Sequence, residues 1–290
     1  MSARDSIPVV PSIEPVADRY EAWLCDIWGV LHNGVQPFNN AEHACCTYRK
    51  KGGTVVLISN SPRPGHAVRK QLAEIGVSED AFDAIVTSGD TTRHVLAERK
   101  SEPVFHLGPQ RDKPLLDGLD LQLVDLEDAS LVLCSGLYDD LRETPDDYAD
   151  MLSKMLERGL EMVCANPDIQ VERGNRLIYC AGALAEAYGK RGGKVIYTGK
   201  PHPPIYEMAM GRVAEARGEV LMPERILCIG DSVKTDVAGA SAAGMDVLFV
   251  ASALHIEASH DETPLSEEAL QNVFADSAVM PIAAQKRLTW

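Results

Sequence analysis

The sequence holds no C-x-x-C pair, no long apolar run and no excess of positive charge. Each absence closes a class of function. Without cysteines at metal-ligand spacing there is no zinc ribbon, and 7 cysteines, an odd number, do not make a disulfide frame. Cys45 and Cys46 are adjacent, while Cys25, Cys134, Cys164 and Cys228 sit inside apolar runs. That usage fits free thiols in a reducing compartment. No apolar stretch approaches the about 18–20 residues of a membrane helix. Met1 to Val10 carries Arg4 and Asp5, so no signal peptide is expected. The expected address is the cytoplasm. A net charge of −15 repels nucleic acid and anionic membranes, and neither is an expected partner. Internal repeats and low-complexity runs are also absent.

What remains is a chain of 290 residues, 45% of them hydrophobic, enough for a full core in one large domain or two ordinary ones. Short Val-, Ile- and Leu-rich runs alternate with helical patterns. Core strands are expected at Trp23–Asp26, Thr54–Ser59, Ala84–Thr87, Lys194–Thr198, Arg225–Ile229 and Asp246–Val250. Helices are expected between them, at Asn40–Lys51, Pro64–Ile75, Thr91–Lys100, Pro204–Ala216 and Lys234–Ala243. This alternation predicts an α/β fold with a doubly wound parallel, Rossmann-like sheet. The middle of the chain adds apolar strands at Val104–Leu107, Leu121–Val124, Leu131–Ser135 and Leu160–Ala165. Thr144, Pro145, Asp146 and Asp147 open a helix there, by capping and by opposing the helix dipole. The tail beyond Ser252 is acidic and helix-prone.

Three apolar strands end in polar residues, and in open parallel sheets ligands gather at such carboxyl ends. The first closes on Asp26, with Gly29 soon after; this carboxylate can be a nucleophile, a metal ligand or a cap for the turn. The second ends Ser59-Asn60-Ser61, small donors that suit a phosphate oxygen but also an ordinary loop. The third reads Gly230-Asp231-Ser232-Val233-Lys234-Thr235-Asp236, two carboxylates five apart on a loop, which suits a hard cation such as Mg²⁺. A fourth stretch, Thr198-Gly199-Lys200-Pro201, is no P-loop, because Lys194 and Pro201 stand where that motif needs Gly and Ser or Thr. It is either a proline-bound turn or a lysine fixed to hold phosphate charge.

In this order the four stretches resemble the haloacid dehalogenase (HAD) superfamily. Asp26-Ile27-Trp28-Gly29 matches its first motif, Ser59 its second, Lys200 its third, and Gly230, Asp231 and Asp236 its fourth. The surrounding residues look most like the class IIA, NagD-like phosphatases, and Asn166-Pro167-Asp168 resembles their cap loop. The resemblance implies a HAD core over residues 1–98 and 192–290, with an α/β cap over 99–191 that sets specificity. It implies Mg²⁺ held by Asp26, the Trp28 carbonyl and Asp231, with Asp236 orienting a metal-bound water. Ser59, Asn60 and Lys200 would bind the phosphoryl group, and Asp168 and Arg173 the substrate. Homodimers through the cap are common in that subfamily.

One residue departs from the pattern. The superfamily's second Asp, its usual general acid and base, is Trp28 here, and indole transfers no proton near neutral pH. His32 and His202 flank the motifs as alternatives. Three readings follow. The first is a Mg²⁺-dependent phosphatase for a small phosphorylated metabolite of sugar, nucleotide or aryl type, acting through an aspartyl-phosphate at Asp26. The second is an impaired relative that binds such a metabolite, and the third a phosphotransferase.

Overall fold

The computed structural model describes residues 6–173, 176–251 and 265–290. The strands are β1 (Ala22–Asp26), β2 (Thr54–Ser59), β3 (Ala84–Thr87), β4 (Val104–Leu107), β5 (Leu131–Cys134), β6 (Glu161–Cys164), β7 (Gln170–Arg173), β8 (Arg176–Tyr179), β9 (Lys194–Tyr197), β10 (Ile226–Gly230), β11 (Asp246–Val250) and β12 (Ala283–Gln285). They form a six-stranded sheet in the order β12-β11-β10-β1-β2-β3, a four-stranded sheet in the order β4-β5-β6-β9, and the antiparallel pair β7-β8.

In the six-stranded sheet the five strands from β12 to β2 pair in parallel. Every residue of β1, β2 and β10 is buried. A parallel sheet covered on both faces demands that composition, and the continuous apolar runs of the sequence supply it. The chain leaves β1 toward β2 and later returns to place β10 on its other side. Strand order therefore reverses between β1 and β10, the place where such sheets leave a crevice at their carboxyl ends. The four-stranded sheet is parallel throughout, with registers Leu131↔Glu161 and Glu161↔Lys194. Its faces are apolar: Val132, Cys134, Met162 and Cys164 pack with Leu152, Leu184 and Tyr188 on one side, and Leu131, Leu133 and Val163 with Leu96 and Leu115 on the other. Fully burying each such side chain stabilises by about 1.5–3 kcal/mol.

By their contacts the residues form two compact units, one of 1–59, 69–85 and 206–290, the other of 60–68 and 86–205. These limits differ from the 98/99 and 191/192 divisions expected from sequence. The helix Ser88–Glu98 belongs to the second unit, where Thr92 bonds Thr198 at 2.7 Å and Arg93 reaches the Leu115 carbonyl at 2.8 Å. Strand Lys194–Thr198, expected among the core strands, is β9 of the four-stranded sheet, paired with β6. Leu121–Val124 is not a strand. It makes one bridge, Leu123 to Val104, and then turns into the short helix Leu126–Asp128. The pair β7-β8 and strand β12 are additions to the expected elements. The expected helix after Thr144 forms, with Asp147 accepting from the Thr144 N–H at 2.7 Å and its hydroxyl at 3.1 Å, although its first turn is 3₁₀.

All 7 cysteines are free thiols; six are buried and Cys46 is partly exposed. Burial pushes the Cys134 thiol up to about 12 and Cys164 well above its ordinary value. Among the described residues no helix is long and apolar enough to cross a membrane.

Candidate active site

Asp26 is the last residue of β1, Ser59 the last of β2, and Asp231 follows β10 directly. The register Asp26↔Ile58 brings the ends of β1 and β2 level, and Cys25↔Ile229 does the same for β1 and β10. Three expected residues therefore meet at the switch point. Asp236 joins them by a different route. After β10 the chain winds one π-helical stretch, Val233–Val237, a wide turn that often marks functional positions. The Ser232 N–H donates to Asp236 Oδ2 at 3.1 Å and folds the carboxylate back over the loop. Carboxylate oxygens of Asp26, Asp231 and Asp236 all lie within 4.8 Å of one another. These side chains are 6%, 6% and 4% exposed. The Ile27 N–H, at 2.8 Å from Asp26 Oδ1, fixes that carboxylate.

Two glycines make the cluster possible. Gly29 has φ +82°, and a Cβ there would stand 2.1 Å from Asp231 Oδ2. A Cβ on Gly230 would stand 2.2 Å from Asp236 Cγ. Three buried carboxylates this close repel one another unless a cation is shared among them. Oxygen-only donors on a tight loop suit a hard divalent ion such as Mg²⁺ rather than a soft metal. The donor set thus fits the ion expected from sequence.

Trp28 is half-buried, and its indole has a prepared seat. A Cβ on Gly34 would lie 2.5 Å from the ring, and His32 meets it edge-on with centroids 5.1 Å apart. The Gly34 N–H donates to His32 Nδ1 at 2.8 Å, so the neutral ring carries its proton on Nε2. His32 is 2% exposed, and burial lowers its pKa to about 4. A sealed neutral imidazole with one nitrogen occupied is a poor proton donor at neutral pH. His202 stacks on Tyr197 at 4.7 Å, and burial lowers its pKa as well. Neither histidine takes the form of a ready replacement acid.

The second unit holds the other expected residues. Asn60 uses both ends of its amide on the backbone of Lys200: Oδ1 accepts from the Lys200 N–H at 2.7 Å, and Nδ2 donates to the Lys200 carbonyl at 3.1 Å. Nδ2 also donates to Asp168 Oδ1 at 2.8 Å. Asn60, Lys200 and Asp168 are therefore one assembly, although 108 residues separate Asn60 from Asp168. Lys200 is 2% exposed, which is rare for a lysine and requires compensating partners. A Cβ on Gly199 would strike Asn60 Oδ1 at 2.4 Å, so the small residue before Lys200 is needed for the clamp. Arg173 lies in β7, but its side chain is outside the described ones.

Sequence reasoning passed over a polar group in the same unit: His106, Arg111, Asp112, Ser135 and Asp140. Its signal was present. Ser135-Gly136 and Gly108 each follow an apolar strand, the same mark that singled out Asp26 and Ser59.

The comparisons with known proteins agree with this geometry. Residues 23–122 match the family model for haloacid dehalogenase-like hydrolases, and residues 197–276 a second, HAD-hydrolase-like, model. A haloacid dehalogenase-like hydrolase from Brucella suis 1330 is 44% identical in sequence, with a TM-score of 0.85 over 97% of this chain and 100% of that one. The ribonucleotide monophosphatase NagD of Escherichia coli K12 is 25% identical over 79% of this chain and 86% of its own. A glycerol phosphate phosphatase of Mycobacterium tuberculosis, solved in complex with magnesium, is 25% identical, with a TM-score of 0.62 over 81% of this chain and 69% of its own. With its carboxylates gathered at the switch point of a doubly wound sheet, the chain belongs to the haloacid dehalogenase-like hydrolase family and within it is similar to the NagD-like phosphatases.

Proposed function

We propose that the protein is a Mg²⁺-dependent phosphatase acting on a small phosphorylated metabolite through an aspartyl-phosphate at Asp26. The observation that carries the reading is the trio of buried carboxylates within 4.8 Å. Mg²⁺, held by Asp26, Asp231 and the Trp28 carbonyl, would supply charge neutralisation for an acidic nucleophile facing a phosphate dianion. Asp26 attacks phosphorus in line, the P–O bond to the leaving group breaks, and water then cleaves the acyl phosphate to release inorganic phosphate and restore Asp26. Ser59, the backbone N–H of Asn60 and Lys200 take the phosphoryl oxygens, Lys200 as a point charge. Asp236 would orient a water beside the ion, without being a direct ligand. Asp168 and Arg173 meet the rest of the substrate, and residues 99–191 act as the cap. NagD acts on ribonucleotides and the mycobacterial relative on glycerol phosphate, so the substrate class proposed is a sugar, nucleotide or aryl monophosphate.

Trp28 favours a second reading. With an indole at the position of the usual leaving-group acid, turnover would be confined to esters that leave without help, or lost, leaving a metabolite-binding protein. Release of phosphate from 4-nitrophenyl phosphate, with Mg²⁺ and with EDTA, decides between them. Magnesium-dependent turnover that disappears in Asp26→Asn supports the phosphatase. A folded, metal-loaded protein without turnover sinks it.

A further inference from the structure

We infer that the carboxyl edge of the four-stranded sheet reads hydroxyl groups on the substrate, through Ser135, Asp112 and His106. The inference deepens the phosphatase reading by naming the chemical class of its substrate, the phosphate monoester of a neutral polyhydroxylated alcohol.

All four strands of this sheet run in parallel, so their carboxyl ends share one edge. Lys200 follows β9, Asn166 and Asp168 follow β6, Ser135 follows β5, and Gly108, Arg111 and Asp112 follow β4. Neighbouring strands are about 4.8 Å apart, so the strand carrying Ser135 lies about 10 Å from the strand leading into Lys200. That distance is the reach of a small sugar phosphate whose phosphoryl group is held at the lysine.

The groups along this edge form one set. His106 Nε2 lies 2.9 Å from Ser135 Oγ, and Ser135 in turn hydrogen-bonds Asp112, which is 3% exposed. Arg111 forks onto Asp140, 7% exposed, and its Nε stands 4.0 Å from Asp112. Glycine at 108 is what leaves room for the hydroxyl, since a Cβ there would lie 2.0 Å from Ser135 Oγ and 2.9 Å from His106 Nε2. The bodies of the same strands are apolar. Burying charge at their ends is costly, and a fold with only packing to satisfy would place apolar residues there. The set pairs acceptors with donors, as hydroxyls require, because each hydroxyl both gives and receives a hydrogen bond. Asp112 and Asp140 both engage Arg111, with Arg63 facing Asp112 and Lys113 facing His106. A neutral ligand end leaves these ion pairs intact, whereas a second phosphate or carboxylate would compete with Asp112 and Asp140 for Arg111.

The test uses the Asp26→Asn chain with Mg²⁺, in which a bound ester is not consumed, and calorimetric dissociation constants for glucose 1-phosphate and cyclohexyl phosphate. The two share ring size and phosphate and differ in hydroxyls. Glucose 1-phosphate is expected to bind at least about tenfold more tightly. In Ser135→Ala, and independently in Gly108→Ala, which displaces the hydroxyl without removing it, the advantage is expected to shrink to about twofold or less. A network that serves only packing would lower the melting temperature in the variants and leave that ratio alone. Equal affinities in the parent, or an advantage retained in both variants, overturn the inference. Turnover of 4-nitrophenyl phosphate by the unmodified chain reports on the phosphatase reading separately, so hydroxyl preference without turnover would mark a binding protein and leave this inference standing.

Discussion

The six-stranded and four-stranded sheets are built alike and furnished differently. Both are apolar parallel sheets, and both place their polar residues at strand carboxyl ends. At the first, carboxylates dominate: Asp26, Asp231 and Asp236 stand beside the single hydroxyl of Ser59. At the second, donors and two-way groups, Lys200, Thr198, Ser135 and His106, stand among carboxylates that already have partners, Asp112, Asp140 and Asp168. A carboxylate cluster wants a cation and an electrophile; an edge of ammonium, amide and hydroxyl groups wants anionic and hydroxylated ligand. The architecture sets where chemistry happens, and residue type at a few strand ends sets which chemistry.

The contrast can be broken most severely at the acceptor end. Asp26→Asn is expected to lower kcat for 4-nitrophenyl phosphate by at least about 10³-fold, measured as phosphate release, with EDTA giving a loss reversed by added Mg²⁺. At the donor end, Lys200→Met removes the charge proposed to stabilise the phosphoryl group, and a loss of about 10²-fold in kcat/KM is expected. Unchanged kinetics would remove Lys200 from the mechanism. Trp28→Asp sharpens the comparison in the other direction. It restores a proton-transferring side chain and is expected to raise alkyl phosphate turnover by about 10²-fold while changing aryl phosphates little. A uniform change across both would show that Trp28 acts only through packing.

Smaller effects concern stability. Gly29→Ala combines a positive φ with a collision at Asp231 and should cost about 1–3 kcal/mol, read as a lower melting temperature. His32 supplies a pH effect. Its folded pKa, about 4, lies below the ordinary 6.5, so between those values the unfolded chain binds the proton and the folded one does not. Stability is therefore full above pH 6.5 and falls as pH drops toward 4, by at most roughly 3 kcal/mol. Melting curves from pH 7 to pH 4.5 should show less of this slope in His32→Phe.

Much of this was legible before any coordinates. The apolar runs named β1, β2, β5 and β10 because a strand buried on both faces has no choice of composition, and the same apolar signal reached the less buried β3, β4, β6, β9 and β11. The cation-seeking trio was legible because Asp26 and Asp231 end or follow such runs and Asp236 shares the loop. What escaped depends on pairing. Nothing local in Lys194–Thr198 says that it joins β6, and β12 is only three residues, Ala283–Gln285, with no β-branched signature. The clamp of Asn60 on Lys200 was invisible for the same reason, since 140 residues separate the partners. The seat of Trp28 depends on Gly34, whose importance appears only once the indole is placed above it.

The buried thiols give the two sheets separate clocks. Cys25, Cys45 and Cys228 belong to the unit of the six-stranded sheet, and Cys134, Cys164 and Cys180 to the other. A sulfhydryl reagent can modify them only when the backbone around them opens, because the thiolate is the reactive form and burial suppresses it. Cys46 reacts first and marks the start. The order in which the remaining six acquire mass, read peptide by peptide, then ranks the local opening free energies of the two sheets without any engineered probe.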